Sequence, residues 1–74
     1  MADQVLDAKG LNCPLPILKT KKMIKSMSSG QILEVLATDP GSIADMTAFA
    51  KQTGHTIIAQ SNEGDVYKFE IQVG

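Results

Sequence analysis

The sequence contains one cysteine, one histidine and no arginine, and each scarcity argues against a kind of bond, metal site or partner. One cysteine cannot form an internal disulfide, and with one histidine it argues against a structural metal site. All seven basic residues are lysines, so bidentate recognition of phosphate by a guanidinium is excluded. The net charge of -1 argues against tight nucleic-acid binding, which needs a broad basic surface. We therefore expect no metal, no cofactor and no direct nucleic-acid partner.

The 74 residues, of which 43% are apolar, have the length of one domain with a simple core. No apolar run approaches the ~20 residues that span a bilayer. The first residues, Met1 to Gln4, lack the basic start and apolar run of a signal peptide. We therefore expect a single domain over residues 1–74, a cytoplasmic location, no membrane contact and a monomer.

Apolar periodicity and turn residues predict the element order β-α-β-α-β-β. The predicted segments are a strand at Val5–Ala8, a helix from Cys13 to about Met27, a strand at Ile32–Thr38, a helix from the Asp39-Pro40-Gly41-Ser42 turn to about Thr53, a strand at His55–Ser61, a loop at Asn62–Asp65 and a strand at Val66–Val73. Asp39 or Ser42 is expected to cap the second helix, and Ser42 with Asp45 resembles a capping box.

The crossovers between these elements determine the fold class. Right-handed connections place the first two strands parallel, with both helices packed on one face of the sheet. The prediction is therefore an α/β (α+β) two-layer sandwich, whose four-stranded sheet is mixed because the last two strands form a hairpin. The loops before both helices leave the carboxyl ends of parallel strands, where sites in open α/β sheets gather. We expect Cys13 and the Asp39-Pro40-Gly41-Ser42 turn to lie near one another there.

Cys13 is the candidate reactive residue. A free cysteine is usually a small buried hydrophobe, but this one stands where a helix begins. The positive end of a helix dipole lowers the pKa of a thiol and raises the thiolate fraction. Pro14 and Pro16 have no N–H, so the amides of Leu15 and Ile17 are the expected donors near the sulfur. The residues alone leave both interpretations, a buried thiol and a reactive one, open.

A helical wheel separates the first helix into two faces. The face expected in the core holds Pro16, Ile17, Thr20, Met23, Ile24 and Met27. The opposite side holds Leu15, Leu18, Lys19 and Lys22. Two leucines beside a candidate reactive cysteine, ringed by lysines, indicate a partner-docking surface. The alternative is that Leu18 packs at the helix edge.

The segment Gly10-Leu11-Asn12-Cys13-Pro14-Leu15-Pro16 resembles the signature of the TusA-like (SirA-like) sulfurtransferase TusA family, in which a Cys-Pro-x-Pro motif opens the first helix. The likeness extends to Leu6-Asp7-Ala8, to Thr38-Asp39-Pro40-Gly41-Ser42, to the element order and to the length. The resemblance implies one TusA-like domain, a two-layer α/β sandwich with a four-stranded mixed sheet, and a cysteine that accepts sulfane sulfur as a persulfide. Cys13 matches that cysteine, and Pro14 and Pro16 match the motif prolines.

The resemblance also implies partners. Cys13 would receive sulfur from a cysteine desulfurase or a rhodanese and relay it to a persulfide-accepting protein of the DsrE/TusD-like kind. Such a carrier is a sulfurtransferase component that turns over only with its donor and acceptor. Leu15 stands where the best-known bacterial member, which serves tRNA thiolation, has an acidic residue. The Asp39-Pro40-Gly41-Ser42 turn is similar to members found beside rhodaneses in sulfur-oxidising microbes, so tRNA 2-thiouridine synthesis and oxidative sulfur metabolism both stay open.

Two other functions fit the residues. A regulatory or partner-binding module would leave Cys13 inert and use the surface at Leu15 and Leu18. A single-thiol redox switch would form a sulfenic acid or a mixed disulfide at Cys13. Sulfur transfer is the preferred hypothesis because of the family resemblance, and it fits the absence of a second thiol in the sequence that would expel the bound sulfur as sulfide.

Overall fold

The structure, a computed structural model, describes residues 2–12 and 15–74. In this part of the chain, four strands and two helices follow the predicted order. Their bounds are β1 Gln4–Ala8, α1 Leu15–Lys25, β2 Ile32–Ala37, α2 Ser42–Thr53, β3 Thr56–Glu63 and β4 Val66–Gln72. At 11 and 12 residues, these two helices are too short to cross a membrane.

The sheet is mixed, as predicted, and its strand order is β1-β2-β4-β3. β1 and β2 pair in parallel through the α1 crossover, and Ala8 at the end of β1 aligns with Ala37 at the end of β2. β4 enters between β2 and β3 and is antiparallel to both. The two central strands, β2 and β4, are the most buried strands of the sheet, because each has a neighbour on both sides, whereas most residues of the edge strands β1 and β3 are exposed.

The core lies between the sheet and the helices. Alternate residues of β2 and β4 point into it, because successive side chains of a strand face opposite sides of the sheet. The buried members of the central cluster are Leu33, Val35, Phe69, Ile71 and Val73 from the sheet side and Ile24, Met46 and Phe49 from the helices. Complete burial of one such aliphatic or aromatic side chain stabilises the fold by roughly 1.5–3 kcal/mol.

The opposite face of the sheet carries charged residues. Lys68 Nζ lies 3.3 Å from Oε1 of Glu34 on the neighbouring strand β2, and 3.8 Å from Oε1 of Glu70, two residues along its own strand. All three side chains are partly exposed, so each ion pair contributes at most about 1 kcal/mol. Both helices therefore cover one face only, and the predicted two-layer sandwich is confirmed.

α1 ends two residues earlier than predicted. The amides of Ser26 and Met27 donate to the carbonyls of Met23 and Ile24, three residues back, at 3.1 and 2.9 Å. The Ser26 hydroxyl donates to the same Met23 carbonyl at 2.8 Å and competes with α-helical pairing there. The helix therefore finishes at Lys25 in a tighter turn, while Met27 still packs against the core.

The predicted four-residue loop at Asn62–Asp65 is wrong. β3 continues through Asn62 to Glu63, which pairs with Val66, so only Gly64 and Asp65 form the turn. Gly64 has a φ of +59°, the left-handed conformation that two-residue hairpin turns of this twist require. Polar side chains suggested a loop, but β3 is an edge strand whose residues stay largely exposed, so polar residues are tolerated within it.

The predicted cap of α2 is also wrong. Gly41 is the N-cap residue, and among the described residues no side chain caps this helix. Ser42 is instead the first helical residue, and its hydroxyl donates to the Asp39 carbonyl at 2.6 Å. The Asp39 carboxylate accepts from the Gly41 amide, one position before the helix. The prediction for the other end is confirmed, because Gly54 closes α2 with a φ of +80°.

We predict that Leu33→Ala lowers the free energy of unfolding by about 3 kcal/mol, because Leu33 is completely buried and its truncation leaves a cavity. Leu18→Ala is the matched control, since Leu18 is 53% exposed and should cost under about 1 kcal/mol. Urea unfolding followed by circular dichroism measures both. Equal losses in the two variants would contradict the assignment of the core.

Candidate functional site

The predictions for Cys13 and Pro14 lie outside the described residues. The structure describes the chain on both sides of them. Before them comes the turn at residues 9–12, which follows β1, and after them comes α1, which begins at Leu15. The site is therefore built here from its two flanks and from the loop beside them.

The turn at residues 9–12 reverses the chain directly after β1. The Leu11 amide donates to the Ala8 carbonyl at 3.2 Å, and the Lys9 amide donates to Asp7 Oδ1 at 3.0 Å. Gly10 lies between them with a φ of +81°, a conformation that is strained for residues with a side chain. Glycine at this position therefore allows the strand to turn at once toward residues 13 and 14.

One hydrogen bond joins this turn to the end of β2. The Gly10 amide donates to Thr38 Oγ1 at 2.9 Å, across a sequence separation of 28 residues. Thr38 follows Ala37, the last residue of β2, and Ala37 is the parallel partner of Ala8. The loops after β1 and β2 therefore meet at the carboxyl edge of the sheet, although Cys13 itself is not among the described residues.

The start of α1 differs from one expectation. The Leu15 amide donates to the Asn12 carbonyl at 2.8 Å, so this N–H already has an acceptor in the backbone and is not the free donor to sulfur that we expected. Pro16 is completely buried and fixes the first turn against the core. The first described turn of α1 contains no acidic residue, so no carboxylate of the helix itself neutralises the positive end of its dipole.

Asp39 and Ser42 hold their own turn together. The Ser42 amide and hydroxyl both donate to the Asp39 carbonyl, at 2.9 and 2.6 Å, and the Asp39 carboxylate accepts from the Gly41 amide at 3.1 Å. Ser42 is 1% exposed, so its hydroxyl is not part of a surface that a reactant reaches. Asp39 lies in the loop that was predicted beside Cys13, and Ser42 is the first residue of α2 after that loop. These contacts give both residues a structural role.

The four predicted docking residues are all exposed on α1. Leu15 is 44% exposed and Leu18 is 53% exposed, a high degree for leucines in so small a domain. The structure does not bring the four residues into one pocket. Leu18 lines a groove of about 320 Å³ between α1 and α2, together with Ile17, Ala48 and Phe49 among others. Lys19 and Lys22 line a separate cleft of about 330 Å³ beside β1, together with Leu6, Met23 and Ser26.

His55 lies at the other end of the molecule. It immediately precedes β3, whose first residue Thr56 aligns with Gln72, and Gln72 aligns with Ile32 at the start of β2. Its ring lies 5.7 Å from that of Phe49, and its Nδ1 accepts from the Gly74 amide at 3.0 Å. β2 separates this end from Thr38 by roughly 17 Å, so His55 has no direct contact with the edge where Gly10 and Thr38 meet.

No cluster of three or more potential metal ligands occurs within residues 2–12 and 15–74. Sequence reasoning missed the contact of Thr38, which was predicted as the last residue of a strand, whereas β2 ends at Ala37 and the Thr38 hydroxyl accepts from the Gly10 amide. Its position in the sequence could have indicated this contact. A residue that directly follows a buried strand lies beside the turn that follows the parallel neighbouring strand, and the Thr38 hydroxyl can accept a hydrogen bond there.

Comparison with known proteins gives a consistent result. The model of the family described as Sulfurtransferase TusA matches residues 4–73. The chain is 59% identical to the "Sulfur carrier protein TusA" of Allochromatium vinosum over 95% of this chain and 92% of that one. It is 56% identical to the "Putative sulfur carrier protein YrkI" of Bacillus subtilis over 99% and 97% of the two chains. A crystal structure of a SirA-like protein from Desulfitobacterium hafniense shares the fold, with a TM-score of 0.83, 23% identity and coverage of 96% and 97%.

We predict that Ser42→Ala lowers the free energy of unfolding by about 1 kcal/mol or more, because the substitution removes a buried hydroxyl and with it the 2.6 Å hydrogen bond to the Asp39 carbonyl. Ser26→Ala is the matched control, since the Ser26 hydroxyl also donates to a backbone carbonyl but is exposed. That control should stay within about 0.5 kcal/mol of the wild type. Thermal and urea unfolding measure both, and a neutral Ser42→Ala would contradict the structural role of this hydroxyl.

Proposed function

This chain belongs to the sulfurtransferase TusA family, and we propose that it is a sulfur carrier that holds sulfane sulfur as a persulfide on Cys13 and passes it between two partner proteins. The observation on which the proposal rests is the family match over residues 4–73, within which Cys13 is the only cysteine of the sequence. The relatives from Allochromatium vinosum and Bacillus subtilis, at 59% and 56% identity, are both named as sulfur carriers.

The proposed transfer is an exchange at sulfur. The Cys13 thiolate attacks the outer sulfur of a persulfide on the donor protein, a new S–S bond forms on Cys13, and the S–S bond of the donor breaks. The donor leaves as a thiolate, and the proton of the outer sulfur travels with it to Cys13. In the second step a thiolate of the acceptor attacks the same outer sulfur, and Cys13 leaves as a thiolate. The carrier is thereby restored without an external oxidant or reductant.

The charges on α1 support an anionic sulfur before this helix. The first described turn has no acidic residue, and Lys22 and Lys25 lie in the last turn, where cations stabilise the negative end of the dipole. The positive end therefore keeps its effect on groups near the amino terminus of α1. The same field stabilises the Cys13 thiolate in both steps, first as the group that attacks the donor and then as the group that leaves when the acceptor takes the outer sulfur.

The partners of this proposal are a donor and an acceptor protein. Because the chain has one cysteine, both partners must react at Cys13. We therefore propose that the donor and the acceptor bind one after the other rather than together. We propose that Leu15 and Leu18 are the apolar contacts of this shared docking surface, because exposed apolar side chains that lie close together mark interaction sites. Lys19 and Lys22 would attract an acidic partner surface and accelerate the encounter.

The finer assignments complete the proposal. The donor is a cysteine desulfurase or a rhodanese, and the acceptor is a persulfide-accepting protein of the DsrE/TusD-like kind. The carrier acts as a single-domain monomer in the cytoplasm, either in tRNA 2-thiouridine synthesis or in oxidative sulfur metabolism. Leu15 supports a partner different from that of carriers with an acidic residue at this position, because an apolar side chain favours an apolar contact.

We predict that incubation with a cysteine desulfurase and cysteine adds one sulfur atom to the wild-type chain, because the Cys13 thiolate accepts the persulfide sulfur. Intact-mass spectrometry measures the addition, and a reductant should remove it. Cys13→Ser is the control and should gain nothing.

Two results would contradict carrier function. A wild-type chain that gains no sulfur from desulfurase or rhodanese donors has no carrier activity. A wild-type chain that is oxidised by low peroxide but shows no preference for persulfide donors is a redox switch instead.

We predict that Leu18→Glu slows loading from the donor protein about tenfold, because a charge replaces an apolar contact that is 53% exposed on α1. Val5→Glu is the matched control, because Val5 is 56% exposed but lies on the sheet face that the helices do not cover. Loading rates are measured by quenched intact-mass spectrometry under single-turnover conditions.

Alkylation of Cys13 by iodoacetamide separates docking from reactivity, since a small reagent needs no docking surface. Alkylation is recorded at alkaline pH, where the thiol is ionised whatever charge lies in the first turn of α1, and there it should proceed equally fast in the wild type, in Leu18→Glu and in Val5→Glu. If Val5→Glu slows loading as much as Leu18→Glu, or if neither does, α1 is not the docking surface.

A further inference from the structure

We propose that Thr38 is a positioning residue for sulfur transfer: its hydroxyl holds the turn at residues 9–12 and thereby fixes the segment that carries Cys13. The proposal rests on the proposed function, because it concerns the geometry of the same thiol. Thr38 itself is half-buried at the carboxyl end of β2, and its hydroxyl accepts a hydrogen bond from the Gly10 amide of the turn.

The bond from the Gly10 amide to Thr38 Oγ1 differs from the other bonds of this turn. The bonds from Lys9 to Asp7 and from Leu11 to Ala8 connect neighbours in sequence and move with the turn if it moves. The bond to Thr38, at 2.9 Å, joins the turn to the residue that follows β2, 28 positions away, whereas the bond from the Leu15 amide joins Asn12 only to α1, the next element along the chain. The bond to Thr38 therefore fixes the turn relative to the rigid sheet rather than relative to itself.

A hydroxyl is required here because the strands have ended. The parallel pairing of β1 with β2 stops at Ala8 and Ala37, so the backbone ladder supplies no acceptor for the Gly10 amide. The side chain of Thr38 takes the place of the next rung. Gly10 reaches it at a φ of +81°, which glycine adopts without strain. One side-chain hydrogen bond therefore continues the contact between the two chain segments beyond Ala8 and Ala37, three residues before Cys13.

The described residues on both sides of Cys13 are thus fixed to the rest of the fold. Cys13 follows Gly10 by three positions, so covalent geometry alone keeps it within about 11 Å of that residue. On the other side, Pro16 is completely buried and secures α1 against the core. Loss of the Thr38 hydroxyl would release the upstream end and leave the downstream end in place. Transfer at sulfur depends on such positioning, because misplacement of a reacting atom by about 1 Å can cost orders of magnitude in rate.

The test compares three variants in the full chain. Thr38→Val keeps the shape and removes the acceptor, whereas Thr38→Ser keeps the acceptor. Thr47→Val is the matched control, because the Thr47 hydroxyl donates to the Ile43 carbonyl on an exposed face of α2. We expect Thr38→Val to load sulfur from a desulfurase about fivefold more slowly than the wild type, the factor expected for one lost hydrogen bond. Thr38→Ser and Thr47→Val should load at the wild-type rate.

A second measurement distinguishes positioning from a merely structural role. The rate of Cys13 alkylation by iodoacetamide is recorded against pH, and amide hydrogen exchange is recorded at Gly10. In Thr38→Val the alkylation profile should move to higher pH and exchange at Gly10 should accelerate, while Thr38→Ser restores both. A role in stability alone would lower the melting temperature and leave the alkylation profile in place.

The proposal is overturned if Thr38→Val loads and alkylates like the wild type, or if Thr38→Ser shares its defect. A wild-type chain that takes no sulfur would refute the carrier function, whereas the alkylation profile and the exchange at Gly10 would still decide the role of Thr38. If circular dichroism shows Thr38→Val unfolded at the assay temperature, Thr38→Ala, which also removes the acceptor, is carried through the same measurements.

Discussion

The parallel pairing of β1 with β2 is the constraint on which the rest of the structure depends. Two parallel neighbours need a long crossover, and α1 supplies it. The crossover has a fixed hand, so α1 lies on the same face as α2, and that face must supply the core. The pairing also brings the carboxyl ends of both strands to one edge, with Ala8 beside Ala37. The turn before Cys13 and the loop before α2 therefore meet there as a consequence of topology.

The sequence predicted the fold class well because burial repeats at regular intervals. Alternation in β4 and the stripe of α1 each identify one buried face, and the structure confirms both. Local hydrogen bonds were harder to predict, since Ser42, read as a possible cap, lies inside α2 and Asn62 lies inside β3. Cys13 as the reactive residue stays a prediction, and the sequence pattern did not indicate the hydrogen bond that holds the turn before it. The link from Gly10 to Thr38 spans 28 positions and depends on the strand register, which no local pattern reveals.

The net charge of -1 conceals an uneven distribution. α1 contains four lysines and no acidic residue, whereas Glu34 and Glu70 lie on the opposite side of the sheet and share Lys68. The net charge alone could not show that four of the seven lysines lie on α1, the helix that follows Cys13. For a carrier this arrangement is useful, because attraction of acidic partner surfaces speeds the encounter without tight binding, and a carrier must be released after each transfer.

A carrier with one thiol has two requirements that oppose each other. The sulfur must be open enough for two proteins to reach it in turn, yet it must be held firmly enough to react at once. Burial would satisfy the second requirement and defeat the first. This fold separates them: the core secures Pro16 on one side, and the Thr38 hydroxyl secures Gly10 on the other. The two flanks of Cys13 are thereby fixed through contacts of Pro16 and Gly10, and neither contact needs the thiol itself to be buried.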